Sequence, residues 1–431
     1  MAEGREGAYI LYDSLLYTAS FLLLPWLLLR WIFSASFRTT LPGRLGAVSL
    51  PSDESVPTLL LHGVSVGEVK AMGPLVDLLK EEHPNLALVL STTTAGGRQT
   101  AKQLYPDLPV VSFPVDLPFA CRRFLRRVKP CAVLLMELEI WPNFLRACSR
   151  SQVPVAIING RITERSRRRY LRVQRLLPQF DRIALYGVQN HRYADRFRSL
   201  DVPVDRIVTT GNLKYDNLPQ VEAVALDSPW PGWLAGQAAV AVGSTHPPEE
   251  VELIAEACRR PELQQVVWLV VPRHPHRAGK LIRELEGVVG DRPLRLRSRL
   301  SPEDRLAPGT ILVVDTFGEL EKVYAAGCVA VVGGSLIPHG GQNVLEPAAL
   351  GRPVVVGPYT ENFEEEVSWL AEAGGLERAQ DAASLLGFVA RWLQKPDLAR
   401  QAGAAGCRAL DSRRGAARTT LTALENAALL P

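Results

Sequence analysis

Two periods alternate along most of this chain. Short runs that are apolar at nearly every position, such as residues 58–62 (TLLLH) and 328–332 (CVAVV), are followed by longer stretches with apolar residues at helical spacing. Strands covered on both faces of a parallel sheet read as continuous apolar runs, because neither face meets water. The alternation therefore predicts parallel sheets flanked by helices on both sides. In the first half, strands are expected over 58–62, 86–91, 110–113, 132–136, 155–158 and 182–188, with a helix over 69–82. The pattern lapses into proline and small residues at 218–233 (LPQVEAVALDSPWPGW) and then resumes over 238–242, 265–271, 309–315, 328–332 and 354–356. The tail from Leu398 is helical, rich in Ala and Arg. The expected architecture is α/β: two doubly wound, Rossmann-like domains with a cleft between them, spanning 39–216 and 237–431 about a linker at 217–236. The last helix can return to the first domain. In such sheets ligand loops lie at the strand C-termini.

Residues 9–33 (YILYDSLLYTASFLLLPWLLLRWIF) break this pattern. Their uncharged part, 14–29, falls just short of the ~20 residues that a spanning helix needs. Asp13 and Arg30 bound it, and Pro25 kinks it. Residues 1–38 are read as a membrane anchor or an in-plane helix. Arg30, Arg38 and Arg44 follow the segment, so the positive-inside rule leaves the body of the protein on the cytoplasmic side of the inner membrane.

Composition changes little in this picture. A formal charge of +4 over 431 residues gives no argument for nucleic acid. The Arg165 to Arg169 cluster instead suits anionic lipid or an acidic substrate. Six scattered cysteines, without C-x-x-C or zinc spacing, point to reduced thiols.

The densest chemistry lies in residues 331–363. Gly333, Gly334 and Ser335 break a strand with a turn whose amides and hydroxyl suit a phosphate. After Gly340 and Gly341, residues 342–350 (QNVLEPAAL) have helical spacing, and the unpaired amides of a first helical turn favour an anion. Asn343 and Glu346 share a face there. Glu346 either accepts from ribose hydroxyls or completes a capping box with Asn343.

Further strand ends carry candidates. Glu68, on the turn of HGVSVGEV, is placed for general base work or is an acid of a first helical turn. In MELEIWPN, alternation along a strand sends Glu137 and Glu139 to one face, and paired acids raise one another's pKa. Lys214 sits on a glycine turn in TGNLKYD, where its ammonium can neutralise a phosphate or developing charge. In VPRHPHR, Arg273 can hold an anion bidentately, whereas His274 and His276 have no partner spaced to complete a metal site. The Phe317-Gly318-Glu319 turn can contact a base or ribose. The chain has no D-x-D, P-loop or dinucleotide fingerprint. What remains is the layout of a two-domain glycosyltransferase.

HGVSVGEV, MELEIWPN, NGRITERS, TGNLKYD, GSTHPPEE, VPRHPHR and GGSLIPHGGQNVLEP occur in that order. In this the chain resembles the 3-deoxy-D-manno-octulosonic acid (Kdo) transferases, which have the GT-B fold. The resemblance implies inverting, metal-independent transfer of Kdo from CMP-Kdo to a lipid A precursor (lipid IVA) in lipopolysaccharide biosynthesis, with no cofactor. It implies Glu68 as general base, Lys214 with Glu137 or Glu139 as transition-state stabilisers, and CMP held by Pro272, Arg273, Phe317, Gly318, Glu319, Asn343, Val344, Leu345 and Glu346. Gly334 and Ser335 join the donor site from the reading of the turn itself. Where the family usually has a histidine, this chain has Gln342. The rival readings are another GT-B enzyme, either a UDP-sugar transferase or an epimerase, and a membrane-tethered nucleotide sensor. An epimerase has no use for residues 9–33, and a sensor none for the acids at 68, 137 and 139.

Overall fold

The computed structural model describes residues 2–50, 56–219 and 229–431. The chain forms two compact units, one of residues 1–217 with 414–431 and the other of residues 218–413.

The first unit is built on a seven-stranded sheet of β1 (Thr58–His62), β2 (Ala87–Thr92), β3 (Val110–Ser112), β4 (Pro130–Met136), β5 (Val155–Gly160), β6 (Leu185–Val188) and β7 (Ile207–Thr209). The order is β3-β2-β1-β4-β5-β6-β7, and every pairing is parallel. Alternation within the apolar runs serves both faces: Leu60, Val133 and Leu135 enter one core, while Leu59, Leu61, Ala132 and Leu134 enter the other. The C-terminal helix Ala416–Asn426 completes the second core with Leu421 and Leu424. The Asp216 carboxylate caps that helix by accepting from the amides of Gly415 (2.7 Å) and Ala417 (2.6 Å). The single helix expected over 69–82 is two, Val66–Ala71 and Gly73–Glu82. Pro74, in the first turn of the second, lacks the N–H that would continue the first.

The N-terminal segment is also broken. Helices Ala2–Leu22 and Leu24–Phe33 meet at Leu23, just ahead of Pro25. Among the described residues no single helix is long and apolar enough to cross a membrane. The pair Gly7–Leu22 and Leu24–Phe33, bent by 52°, passes by length and composition together. Its near end is docked on the unit. Tyr9 is buried against the Gln179 carboxamide, and the Tyr12 hydroxyl donates to Asp116 at 2.8 Å. Asp13, read as a boundary charge, is ion-paired with Arg146 at 2.7 Å and accepts from Asn143 at 2.8 Å. Further along, Phe21, Trp26, Trp31 and Phe33 are exposed.

The second unit carries β8 (Ala239–Thr245), β9 (Val267–Pro272), β10 (Leu294–Leu296), β11 (Ile311–Val313), β12 (Val329–Val332), β13 (Val354–Val356) and β14 (Leu376–Arg378) in the order β10-β11-β9-β8-β12-β13-β14, all parallel. Val240, Val242, Val329 and Val331 share one buried face. Of the expected linker at 217–236, residues 220–228 lie outside the described residues. Trp230–Leu234 is a short helix of the second unit, with Trp230 and Trp233 buried. The strands β7, β10 and β14 were not expected from the pattern. Each has three residues and closes an edge of its sheet, where one flank is unpaired and the run is too short for a period to register. All six cysteines are free thiols.

Candidate active site

In the first unit the acidic site assembles at the C-terminal ends of β1 and β4. Ser65 caps the Val66–Ala71 helix by accepting from the Glu68 amide, and the Glu68 carboxylate reaches back to accept from the Val64 amide (2.9 Å) and the Ser65 hydroxyl (2.8 Å). Glu68 thus stands in the first turn of that helix and braces its N-terminus, so the reading of Glu68 as an acid of a first helical turn is realised. The same bonds fix the carboxylate at the mouth of the sheet. A carboxylate has about four acceptor sites, so these two bonds leave it able to take a proton.

β4 ends at Met136, so alternation along a strand is not what brings Glu137 and Glu139 together. Glu137 instead takes a left-handed backbone (φ 56°), with its amide donating to the Ile158 carbonyl at 2.9 Å. For a residue other than glycine this conformation costs ~1–2 kcal/mol, and such strain concentrates at functional positions. The turn sends Glu137 toward Lys214, whose ammonium lies 3.6 Å from its carboxylate. Glu139 is half-buried and accepts from the Trp141 indole at 2.9 Å. Burial first, then the nearby charges of Glu68 and Glu137, push its carboxyl up to about 7 against the pull of that hydrogen bond. Glu68, Glu137, Glu139 and Lys214 therefore form one electrostatic cluster.

The sign of the Glu139 shift gives a test. Its folded value lies above the ordinary 4.5, so ionisation costs the folded state more than the unfolded chain. The penalty is absent at pH 4, grows between about pH 4.5 and 7, and is complete by pH 8. Glu139→Gln should raise the Tm at pH 8 by ~2–4 °C, the shift for about 1 kcal/mol once the solvent-exposed part of the group is discounted. Calorimetry at pH 4 should show no gain.

Scaffold residues outside the predicted set hold these groups. Asp116 accepts from the amides of Asn143 (3.1 Å) and Phe144 (2.9 Å), capping the Pro142–Arg150 helix, whose own N-cap, Trp141, offers no side-chain bond. Asn159 is buried, with φ 54°, and accepts from the Leu213 amide at 3.0 Å. Asn212 caps the turn by accepting from the Lys214 amide at 3.1 Å. Asn159 and Asn212 were visible only as parts of NGRITERS and TGNLKYD. Asp116 lies outside every motif and carried no signal. On the Glu164–Leu176 helix, Arg167 and Arg168 hydrogen-bond Glu164 and hold its carboxyl down at about 2. Glu164, Arg165, Arg168, Arg169 and Arg172 line a shallow basic depression.

In the second unit the candidate donor residues gather at the C-terminal ends of β8, β9 and β12. Pro272 ends β9, and Arg273 is anchored by its amide to the Thr245 carbonyl (2.9 Å) while its side chain is exposed. Gly318 stands at φ 78° on the turn after β11, and Phe317 beside it is 84% exposed. The Glu319 carboxylate is engaged within the unit, accepting from Arg297 (2.9 and 2.7 Å) and the Thr316 hydroxyl (3.0 Å), so it stiffens the turn.

Two expectations need correction. The glycine turn after β12 is filled from inside the protein. The Gly334 amide donates to Glu249 Oε1 at 2.6 Å, and the Ser335 hydroxyl donates to the Val332 carbonyl (2.5 Å) and accepts from the Gly357 amide (2.9 Å). Ser335 is buried, so neither group is poised for a phosphate. The twin acids of GSTHPPEE, missed as site residues, explain this. Glu249 is 2% exposed and also accepts from the amides of His246 (2.8 Å) and Leu336 (3.3 Å). Glu250 is likewise buried, meeting Arg277 and the Thr245 hydroxyl at 3.1 Å each. The bare Gly333 makes the close approach possible. A Cβ there would lie 2.6 Å from Thr245 Cα and 2.7 Å from Glu249 Oε1. The helix expected over 342–350 is only Leu345–Ala349, with Val344 as its N-cap. Asn343 does not cap it in a box. Its Oδ1 accepts from the Leu345 amide (3.1 Å) and its Nδ2 donates to Glu346 Oε1 (3.0 Å). Asn343 and Glu346 thus do share a face. Among the described residues no three His, Cys, Asp or Glu side chains converge as a metal site.

A two-unit, doubly wound α/β chain with acids at one sheet's C-terminal rim and a cation among polar turns at the other's is built as a GT-B glycosyltransferase. Comparison with known proteins narrows the class. Residues 39–217 match the family model described as 3-Deoxy-D-manno-octulosonic-acid transferase (kdotransferase). The 3-deoxy-D-manno-octulosonic acid transferase of Haemophilus influenzae is 32% identical over 420 residues, 96% of this chain and 97% of that protein. That of Bordetella pertussis is 35% identical over 400 residues, 89% and 90% of the two chains. This chain belongs to the 3-deoxy-D-manno-octulosonic acid transferase family and is a glycosyltransferase. Among solved structures, the UDP-GlcNAc 2-epimerase of Neisseria meningitidis matches with a TM-score of 0.59 over 86% of this chain and all of that one. At 12% identity it shares the fold alone.

Proposed function

We propose that the protein transfers Kdo from CMP-Kdo to a hydroxyl of a lipid A precursor, with inversion and without a metal, in lipopolysaccharide biosynthesis. The observation that carries this reading, beside family membership, is the cluster of Glu68, Glu137, Glu139 and Lys214 at one sheet's rim. Glu68 takes the proton of the acceptor hydroxyl as its oxygen bonds to the anomeric carbon. The bond from that carbon to the phosphate oxygen breaks on the opposite face, its electron pair leaving with CMP, which accounts for inversion. The sugar acquires oxocarbenium character between the two events, and the Glu137–Lys214 pair and Glu139 supply fixed charge for it. Arg273 suits the single phosphate, which gains charge on departure. The exposed ring of Phe317 suits the base, and the Asn343–Glu346 pair the ribose hydroxyls.

The bent apolar segment at 7–33 and the arginines around the depression at Glu164 support a station at the cytoplasmic face of the inner membrane, against a phosphorylated glycolipid. The purified protein, given CMP-Kdo and lipid IVA, should yield products heavier by whole Kdo residues in mass spectrometry, at a rate unchanged by a chelator. No product from these substrates would overturn the transfer reading. Product whose formation stops with chelator and returns with a divalent ion would overturn metal independence.

A further inference from the structure

We propose that His246, with Gln342 and His339 beside it, forms the subsite for the carboxylate of the donor's sugar acid. This rests on the transfer reading above. An ulosonic acid joined to CMP brings two anionic groups to the protein, the phosphate and its own carboxylate. Arg273 suits one of them. The turn amides that could hold the other are engaged by Glu249, so a second anion has to be met by side chains. Four of the chain's seven histidines supply candidates at these strand ends. The His246 ring centroid lies 4.0 Å from that of His339 and 6.1 Å from that of His274, which is 5.6 Å from that of His276.

His246 is the best held of the four. It is half-buried, its own amide is fixed by Glu249, and its Nε2 lies 3.1 Å from the Nε2 of Gln342. An amide nitrogen only donates, so His246 Nε2 accepts and its proton sits on Nδ1, ready to donate to an anion. Gln342 sets that tautomer without titrating. Gly334 lies directly against the pair: a Cβ there would meet His246 Cδ2 at 3.5 Å and Gln342 Cγ at 3.4 Å, in ordinary contact. Burial, then the neighbouring His339, His274, Arg273 and Arg277, push His246 down to about 4. Of these causes, the guanidinium charges of Arg273 and Arg277, which disfavour a second proton there, favour a carboxylate.

The test compares the KM for CMP-Kdo with the inhibition constant of CMP, which lacks the sugar acid. In His246→Ala the KM should rise ~10-fold or more, as expected for loss of a hydrogen bond to a charged group, while the CMP constant stays within about twofold. His246→Asn, which keeps a donor, should recover part of the loss. Arg273→Ala should raise both constants together. A carboxamide analogue of CMP-Kdo should bind the wild type weakly and lose nothing further in His246→Ala. Parallel rises of KM and the CMP constant in His246→Ala, or no change in either, would overturn the carboxylate subsite. A wild type that transfers no Kdo would instead overturn the transfer reading, and the subsite with it.

Discussion

Glu68→Gln should lose transfer by about 10²- to 10⁴-fold in kcat, the contribution of a positioned general base, while the first unit stays folded. The substitution separates catalysis from capping. A carboxamide oxygen can still accept from the Val64 amide and its NH₂ can face the Ser65 hydroxyl, so the bracing at the start of the Val66–Ala71 helix survives. Only the basic oxygen that receives the acceptor hydroxyl's proton is removed. Glu68→Ala removes both, and should add a loss of ~1 kcal/mol of stability from the cap. Unfolding curves and turnover measured on both variants resolve the roles. If Glu68→Gln turns over within tenfold of the wild type, the carboxylate is a cap and the base lies elsewhere.

Glu249→Ala should destabilise the second unit by on the order of 4 kcal/mol, because the buried amides of His246, Gly334 and Leu336 lose their acceptor together. The same carboxylate ties the turn after β8 to the turn after β12, so the donor-side groups they carry lose their spacing. CMP binding should weaken in step. Burial pushes Glu249 up to about 7, against the lowering pull of the three amides, with Glu250 adding to the rise. Those amides find an acceptor in either oxygen of an ionised carboxylate. Glu249→Gln fits the cavity and can keep an oxygen toward His246 and Gly334 but turns its NH₂ toward Leu336, so it should rescue only in part. Denaturant unfolding of the variants measures the loss. Wild-type stability in Glu249→Ala would show that the turns hold without it.

The sheets were legible because their central strands are apolar throughout. Runs such as TLLLH and VAVV admit little else once flanked by glycine turns and helical stretches. The edge strands β7, β10 and β14 were not, since three residues with one unpaired flank need not be apolar, and LRL and LER are not. Candidate acids were found because they stand at strand ends, the one place where a doubly wound sheet exposes side chains to a ligand. How Glu137 reaches its neighbours was misread, because alternation fails once the backbone turns left-handed at φ 56°. The twin acids of GSTHPPEE drew no reading of their own, since acids commonly occupy a first helical turn and nothing local marks them as buried.

The sequence by itself determined the two parallel α/β units, the apolar N-terminal segment, the family, and the strand-end residues that carry candidate chemistry. These follow from periodicity and from local motifs, which depend on near neighbours in the chain. Tertiary structure alone decided which groups are already engaged. Glu249 reaches the Gly334 amide 85 residues away, and Asp13 meets Arg146 across 133. Pairings of that range depend on how strands and helices pack, and no pattern within a window of sequence encodes them.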